Sequence, residues 1–179
     1  MKDALLLVDV VNDFRHEDGE ALLSSFRARQ PRLVDRLDQA RGSLPVVYAN
    51  DDWGRWDGDA PRMVRDAVTN GLGGELVAQV APRAGEPVVL KPRYSAFDST
   101  PLAILLEHLG VERILLAGMA TEMCVTQSAI GARELGYKVS VLADACACVD
   151  ERLEQIALEY LGDVAGVYVE GKQPRGTAR

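Results

Sequence analysis

The chain consists of short apolar runs that alternate with longer amphipathic segments, and this alternation constrains the fold more than any other feature. Residues 4–8 are apolar without a polar residue in between, which is typical of a strand covered on both faces. Further runs of strand type lie at residues 45–49, 87–90, 113–117, 138–143 and 164–169. Strands that alternate with helices predict right-handed βαβ units, and hence an α/β fold with a parallel sheet between two layers of helices.

The segments between the runs carry helical spacing and helix end signals. In residues 24–41, apolar residues recur at helical intervals and charged residues occupy the other side. Further helices are predicted at residues 61–68, 99–108, 121–135 and 150–161, with Ser99, Thr121 and Asp150 as N-caps.

Length and composition predict a single domain at residues 1–171, followed by a polar tail at residues 172–179. A net charge of −7 argues against nucleic acid or an anionic membrane surface as a partner. No apolar run is long enough to span a bilayer. Three cysteines do not form a disulfide framework, and Cys146 and Cys148 do not form a CxxC pair, so we expect a cytoplasmic protein.

Three chemically active side chains follow the carboxyl ends of predicted strands. Asp9 ends the first strand, Lys91 ends the third, and Cys124 follows the fourth. In open parallel sheets ligands bind at this edge, so we expect an acid, a base and a thiol to meet there. Thr121 as an N-cap places Cys124 in the first helical turn, where backbone N–H groups and the helix dipole favour a thiolate. Taken singly, Asp9 is equally consistent with a turn cap, Lys91 with a surface residue and Cys124 with a small buried hydrophobe.

The three side chains have complementary chemistry. A free cysteine has a pKa of roughly 8.5, so Cys124 needs its proton removed before it attacks a carbonyl. Asp9 can accept that proton and later give it to a leaving amine. Lys91 can stabilise the carboxylate and the thiolate by its charge. The two histidines, His16 and His108, are interpreted as surface or packing residues without a catalytic role.

Three segments around these residues resemble the isochorismatase-like cysteine hydrolase superfamily, which includes nicotinamidases, N-carbamoylsarcosine amidases, ureidoacrylate-type amidohydrolases and isochorismatases. The segments are residues 5–14, 91–97 and 118–125. The resemblance implies a six-stranded parallel sheet in the order 3-2-1-4-5-6 and a catalytic triad of Asp9, Lys91 and Cys124. It also implies a cis peptide bond between Met119 and Ala120, and an oxyanion hole formed by the amides of Ala120 and Cys124.

The implied strand order places the third strand two positions from the first, so Lys91 begins roughly 10 Å from Asp9. We therefore expect the Lys91 side chain to lean across the second strand, or the loop after it to fold inward. Pro92 restricts Lys91 to extended conformations, which helps to fix such a path.

The loop after the second strand differs in sequence from the corresponding loop of metal-dependent nicotinamidases, which contains an aspartate and several histidines. Residues 50–56 contain no histidine, and Asp51 and Asp52 are interpreted as solvated carboxylates, so we predict neither a metal nor another cofactor. Retention of Cys124 favours hydrolysis of an amide or ureido C–N bond in a small molecule. Two alternatives stay open: vinyl ether hydrolysis, as in isochorismatases that use only the aspartate, and a non-catalytic small-molecule-binding or thiol redox module.

Apolar and aromatic residues after the strand ends are the candidates for a substrate pocket. The predicted substrate-binding residues are Phe14, Trp53, Trp56, Tyr94 and Met119. Each aromatic residue is also consistent with packing against a helix or a second subunit. Members of the superfamily often form dimers or tetramers, so we expect a homo-oligomer.

Overall fold

The structure is a computed structural model that describes residues 1–170, so the predicted polar tail at residues 172–179 lies outside the described residues. The strands are β1 Asp3–Val8, β2 Val46–Asp51, β3 Val88–Lys91, β4 Arg113–Met119, β5 Lys138–Ala147 and β6 Tyr168–Val169. The α-helices are α1 Gly19–Arg41, α2 Ala60–Asn70, α3 Gly74–Val80, α4 Leu102–His108, α5 Thr126–Glu134 and α6 Glu151–Asp163, and a π-helical turn, Thr121–Val125, precedes α5. None of the helices in this described part of the chain has the length and apolar character needed to cross a membrane.

The six described strands form one parallel sheet with the order β3-β2-β1-β4-β5-β6, which confirms the predicted fold. β1 lies at the centre between β2 and β4, and residues 4–8 are fully buried because helices cover the sheet. The continuous apolar run of β1 follows from this burial on both faces. The carboxyl ends of β1, β3 and β4 therefore open at the same edge of the sheet, where Asp9, Lys91 and Cys124 follow.

Several predicted element boundaries were wrong, among them those of α1 and β6. α1 begins at Gly19 rather than at residue 24, and its additional turn buries Leu22 in the core. β6 covers only two residues rather than residues 164–169, because the chain after α6 first closes that helix with two hydrogen bonds to the Tyr160 carbonyl. Both errors concern the junctions of elements and leave the strand order unchanged.

The predicted N-cap Ser99 does not cap α4, which begins at Leu102. Ser99 adopts a left-handed conformation with φ of 59°. Thr100 supplies the local hydrogen bonds instead, since its hydroxyl donates to the Ala96 carbonyl and accepts from the Leu102 N–H. Asp150 caps α6 as predicted, with its carboxylate accepting from two backbone N–H groups of the first turn.

Gly118 lies where β4 passes close to β1. Its φ is 129°, and a Cβ atom at this position would lie 2.0 Å from the Val8 carbonyl oxygen. We expect Gly118→Ala to lower the free energy of unfolding by about 3 kcal/mol or more, measured by urea unfolding, because two paired central strands would have to separate. Gly42→Ala is the matched control, since the nearest atom to its added Cβ is 3.8 Å away. Equal stability of the two variants would contradict the close approach.

Candidate active site

Asp9 directly follows β1, the central strand of the sheet, and its carboxylate lies between the backbone of Asp51 and the side chain of Lys91. The chain turns there in a left-handed conformation with φ of 54°. Oδ1 accepts a 2.7 Å hydrogen bond from the backbone N–H of Asp51 at the end of β2. Oδ2 lies 2.8 Å from Lys91 Nζ. The carboxylate is thus nearly buried and is fixed by a neighbouring strand and an ammonium.

Lys91 is the last residue of β3, and its side chain is fully buried. In the sheet register Lys91 pairs with Asp51 of β2, so its side chain passes over β2 to reach Asp9. Nζ also donates to the Arg93 carbonyl oxygen at 3.1 Å and to Cys124 Sγ at 3.4 Å. The length of the lysine side chain therefore spans the separation between β3 and β1.

Cys124 lies in the π-helical turn between β4 and α5. The peptide bond between Met119 and Ala120 is cis. Ala120 occupies the cap position of the turn, and its carbonyl accepts hydrogen bonds from two N–H groups further along the turn. Thr121, the predicted cap, is the first residue inside the turn and uses its hydroxyl for more distant partners.

Burial sets the protonation of the three groups. Burial raises the pKa of the Asp9 carboxyl, and the Lys91 charge opposes that shift. Burial acts to lower the pKa of Lys91, but the charges of Asp9 and Cys124 outweigh it and the pKa is raised. Burial and the Asp9 charge raise the pKa of the Cys124 thiol to about 12. At neutral pH the Cys124 thiol is therefore protonated, beside an Asp9 carboxyl whose Oδ2 lies 2.8 Å from Lys91 Nζ.

The expectation that a helix end stabilises the Cys124 thiolate was wrong for this resting site. The turn continues directly into α5, so peptide dipoles do align behind the sulfur, but the pKa of the thiol is raised nonetheless. Desolvation of the sulfur is the largest contribution to the raised pKa of Cys124. The thiol is therefore protonated, and the Asp9 carboxyl lies within hydrogen-bonding reach of it at the cavity wall.

A buried network holds the first residue of the turn. The Glu154 carboxylate of α6 forms two 2.7 Å hydrogen bonds with the Arg29 guanidinium of α1. Glu154 Oε1 also accepts from the Thr121 hydroxyl at 2.8 Å. Arg29 donates to the Cys146 carbonyl oxygen of β5 at 2.8 Å. Three elements, α1, β5 and α6, thus fix the turn that carries Cys124.

Asp9 and Cys124 open onto a cavity of about 520 Å³ at the carboxyl edge of the sheet. Ala120, whose amide is a predicted oxyanion donor, also lines it. The predicted substrate-binding residues that line the cavity are Trp53, Tyr94 and Met119. A cavity of this volume accommodates a small molecule. The roles of these residues in binding stay predictions.

Phe14 and Trp56, also predicted to bind substrate, lie outside the cavity wall. Phe14 is buried in the core and packs against Phe26, with ring centroids 5.7 Å apart. Trp56 is 76% exposed in the loop between β2 and α2. Both residues follow strand ends in the sequence, but their loops turn one side chain into the core and the other into solvent. Neither is placed to contact a ligand in the cavity.

Sequence reasoning missed several polar residues of the cavity wall, His16 and Asn50 among them. Asn50 is buried in β2, where its side chain accepts from the Val11 N–H at 3.1 Å and donates to the Val11 carbonyl oxygen at 2.8 Å. These bonds fix the chain just after Asp9. The strand-end rule that selected Asp9 also points to Asn50, whereas the position of His16 depends on a loop that has no comparable signal.

Asp51 and Asp52 act as acceptors within their own loop. Asp51 Oδ1 accepts from the Trp53 N–H at 2.6 Å, and Asp52 Oδ1 accepts from the Gly54 N–H at 2.8 Å. Such bonds are typical of Asx turns. Within residues 1–170, no three histidine, cysteine, aspartate or glutamate side chains are grouped so that they could hold a metal ion.

The sequence matches the family model of the isochorismatase domain over residues 3–173. The chain belongs to the isochorismatase family. The match spans most of the sequence and confirms the resemblance on which the strand order was predicted.

Relatives of this isochorismatase-family chain include proteins with stated C–N substrates. The chain is 30% identical to the isochorismatase family protein YaaI of Bacillus subtilis, over 90% of this chain and 89% of the relative. It is 33% identical to the maleamate amidohydrolase of Pseudomonas putida, over 84% of this chain and 73% of the relative. The crystal structure of N-carbamoylsarcosine amidase from Thermoplasma acidophilum superposes with a TM-score of 0.66 at 29% identity, covering 98% of this chain and 99% of that one.

Proposed function

We propose that this protein is a cysteine hydrolase that cleaves an amide or ureido C–N bond of a small molecule, with Asp9, Lys91 and Cys124 as its triad. The observation that carries the proposal is the contact of Lys91 Nζ with both Asp9, at 2.8 Å, and Cys124 Sγ, at 3.4 Å, at the wall of the cavity. Base, charge and nucleophile are then in reach of one bound carbonyl. Buried charged groups beside a thiol at a cavity wall are typical of reactive sites, which supports catalysis over binding alone.

In the proposed first half-reaction, Asp9 takes the Cys124 proton as Sγ attacks the carbonyl carbon. Burial raises the pKa of Asp9 and so makes it a stronger base than an exposed carboxylate. Lys91 contacts both groups and stabilises the negative charge as it moves from oxygen to sulfur. The backbone N–H groups of Ala120 and Cys124 donate to the oxyanion of the tetrahedral intermediate.

Collapse of that intermediate breaks the C–N bond, and Asp9 gives its proton to the leaving nitrogen. A thioester to Cys124 remains. Water then attacks the thioester carbonyl while Asp9 accepts a water proton, and the second collapse returns that proton to Cys124 Sγ. The net reaction consumes one water molecule and releases an amine or ammonia together with an acid.

The relatives support this reaction class. Maleamate is an amide and N-carbamoylsarcosine contains a ureido group, and the proteins named for them share a quarter to a third of their residues with this chain. Hydrolysis of amide-type C–N bonds is therefore the chemistry that the family membership and the cavity support together.

The test is a panel of small amides and ureido compounds, assayed for released ammonia. We expect turnover of at least one compound by the intact protein, and an added acyl mass on Cys124 after acid quenching and mass spectrometry. Cys124→Ala should abolish both signals. Cys148→Ala is the matched control, because Cys148 is a buried cysteine that does not line the cavity. A vinyl ether compound, assayed separately, that is hydrolysed by Cys124→Ala but not by Asp9→Asn would point to vinyl ether chemistry instead.

The network around Thr121 predicts a more selective effect. Thr121→Val keeps the shape of the side chain but removes the hydroxyl that donates to Glu154, so the turn loses one of its tethers. We expect kcat to fall roughly tenfold with little change in KM, because the loss displaces Cys124 relative to Asp9 rather than altering the cavity wall. Thr121→Ser, which keeps the hydroxyl, should restore most of kcat. Equal kcat in the valine and serine variants would contradict the positioning role.

A further inference from the structure

Strand β1 ends one residue before Asp9, while its neighbour β2 continues to Asp51. The register between the two strands ends with Val8 opposite Ala49. Asp9 still donates its backbone N–H to the Ala49 carbonyl oxygen at 2.9 Å, and the chain then leaves the sheet in a left-handed conformation. The regular pairing of β1 with β2 therefore stops at Asp9, and other bonds must fix the backbone that follows it.

The Asn50 side chain of β2 bonds the chain just beyond the point where this pairing stops. Its Nδ2 donates to the Val11 carbonyl oxygen at 2.8 Å, and its Oδ1 accepts from the Val11 N–H at 3.1 Å. Asn50 is 1% exposed and Val11 is fully buried. A primary amide carries a donor and an acceptor on neighbouring atoms, so it can bond the N–H and the carbonyl of one residue as a paired strand would.

The neighbours of Asn50 in β2 contact Asp9 itself. The Ala49 carbonyl accepts from the Asp9 backbone, and the Asp51 N–H donates to Asp9 Oδ1 at 2.7 Å. A left-handed conformation is uncommon for a residue other than glycine and persists only where the surrounding structure fixes it. Asn50 fixes the chain on the far side of Asp9, because it bonds the second residue after it.

We propose that Asn50 is a positioning residue for Asp9, because its two bonds to Val11 fix the turn from which the Asp9 carboxylate projects. From this turn Asp9 Oδ2 lies 2.8 Å from Lys91 Nζ. The inference rests on the proposed function, in which Asp9 is the base. Asn50 also lines the cavity, but its Oδ1 and Nδ2 both bond Val11, so we expect it to affect the chemical step rather than substrate binding.

The two bonds to Val11 require an amide at position 50. Aspartate could accept from the Val11 N–H, but it would place a second acceptor against the Val11 carbonyl oxygen. Leucine has nearly the shape of asparagine and could form neither bond, so two buried backbone groups would lose their partner. Asn50→Leu therefore removes both bonds with little change in side-chain volume.

The groups that face the Asp9 carboxyl are Lys91 Nζ from the end of β3, the Cys124 thiol of the π-helical turn and the Asp51 N–H from the end of β2. Burial raises the pKa of Asp9, and the Lys91 charge and the hydrogen bonds from Cys124 and Asp51 oppose that shift. A carboxylate that moves away from the Asp51 N–H loses part of this opposition. Loss of the Asn50 bonds should therefore raise the pKa of Asp9 further.

Steady-state kinetics of Asn50→Leu test the inference, on a substrate that the amide and ureido panel identifies. We expect kcat to fall on the order of 10²-fold with KM within about threefold of the native value, because a displaced base slows proton transfer from Cys124. The acid limb of kcat/KM should move to higher pH. Asn50→Ala leaves room for water to bond Val11, and it should show the same changes if the leucine variant fails to fold.

Carbon NMR titration of isotope-labelled aspartate measures the pKa of Asp9 without a substrate. The Asp9 carboxyl resonance is the one that disappears in Asp9→Asn, and its pKa should be higher in the Asn50 variants than in the native protein. Gln30→Met is the matched control. Gln30 is also a buried amide, 4% exposed, that donates to a backbone carbonyl, that of Leu76, but it does not line the cavity. This variant should leave kcat within about twofold and the pKa of Asp9 unchanged.

The outcomes separate this inference from the proposed function. Turnover that is unchanged in Asp9→Asn overturns the proposed function and the role of Asn50 with it. Turnover that is lost in Asp9→Asn, with native kcat and a native pKa of Asp9 in the Asn50 variants, overturns the positioning role alone. If the panel yields no substrate, an unchanged pKa of Asp9 in the Asn50 variants overturns that role by itself.

Two further results would contradict the positioning role. A loss confined to KM in Asn50→Leu would mean that Asn50 contacts the substrate instead. Equal changes in Gln30→Met and Asn50→Leu would mean that both buried amides serve only the stability of the fold.

Discussion

Replacing Asp9 with asparagine is expected to lower kcat/KM by about 10³-fold or more on any substrate that the amide and ureido panel identifies, because a general base contributes up to about 10⁴-fold. The amide keeps the shape of the carboxylate but cannot accept the Cys124 proton. With the pKa of the thiol at about 12, almost none of the cysteine is ionised at neutral pH without that base. Steady-state kinetics at pH 7 measure the loss.

The matched control for this substitution lies on the same strand. Asp3 begins β1, at the other end from Asp9, and pairs with Arg113. Asp3→Asn should therefore leave kcat/KM within about threefold of the native value, since it is remote from the cavity. Comparable losses in the two variants would show that the effect on activity comes from the fold and not from Asp9.

The pH dependence of the native enzyme follows from the same group. Asp9 must be ionised to accept a proton, and burial raises its pKa above the usual value of an aspartate. Activity should therefore rise with pH through this raised pKa, so its acid limb lies at higher pH than an exposed aspartate would produce. An acid limb at or below the ordinary aspartate pKa would contradict the assignment of Asp9 as the base.

Sequence patterns predicted the sheet because its strands are buried on both faces. The uninterrupted apolar runs of β1 and β4 indicate directly that these strands are buried on both faces. The alternation of strands with helices restricts the sheet to few possible strand connections. The junctions were predicted less well. Whether α4 starts at Ser99 or Leu102 is decided by a Thr100 hydroxyl that bonds a carbonyl four residues back, and apolar periodicity carries no information on that bond.

The site divides in the same way between local and long-range determinants. Asp9, Lys91 and Cys124 were found because each stands next to a strand end, and the fold brings strand ends together. The hydrogen bond from Thr121 to Glu154 joins residues 33 positions apart. The local sequence pattern does not contain this partner, and it therefore predicted wrongly that Thr121 is an N-cap. The pKa of Cys124 was misjudged for the same reason, since the burial that dominates it is produced by elements from the whole chain.

Replacing Lys91 with methionine is expected to abolish detectable turnover and to lower the free energy of unfolding by about 3 kcal/mol at pH 8, because it leaves a buried carboxylate without its counter-ion. Methionine fills a space similar to that of lysine, so the loss of stability measures the effect of the missing charge rather than of altered packing. Lys138→Met, at an exposed position at the start of β5, should change stability by less than about 0.5 kcal/mol. Urea unfolding of the three proteins provides the comparison.

The sign of the pH dependence distinguishes a charge effect from a packing effect. Without Lys91 the pKa of Asp9 rises further, since the ammonium is what opposes its desolvation. Protonation of Asp9 then relieves the buried charge, so the stability difference between Lys91→Met and the native protein should shrink as the pH falls from 8 towards 5. Adding Asp9→Asn to Lys91→Met should restore much of the stability at pH 8 and none of the activity, because the neutral pair removes the buried charge but supplies no base. A stability loss that is constant with pH, or that Asp9→Asn deepens, would mean that Lys91 supports the packing of the site and not the charge of Asp9.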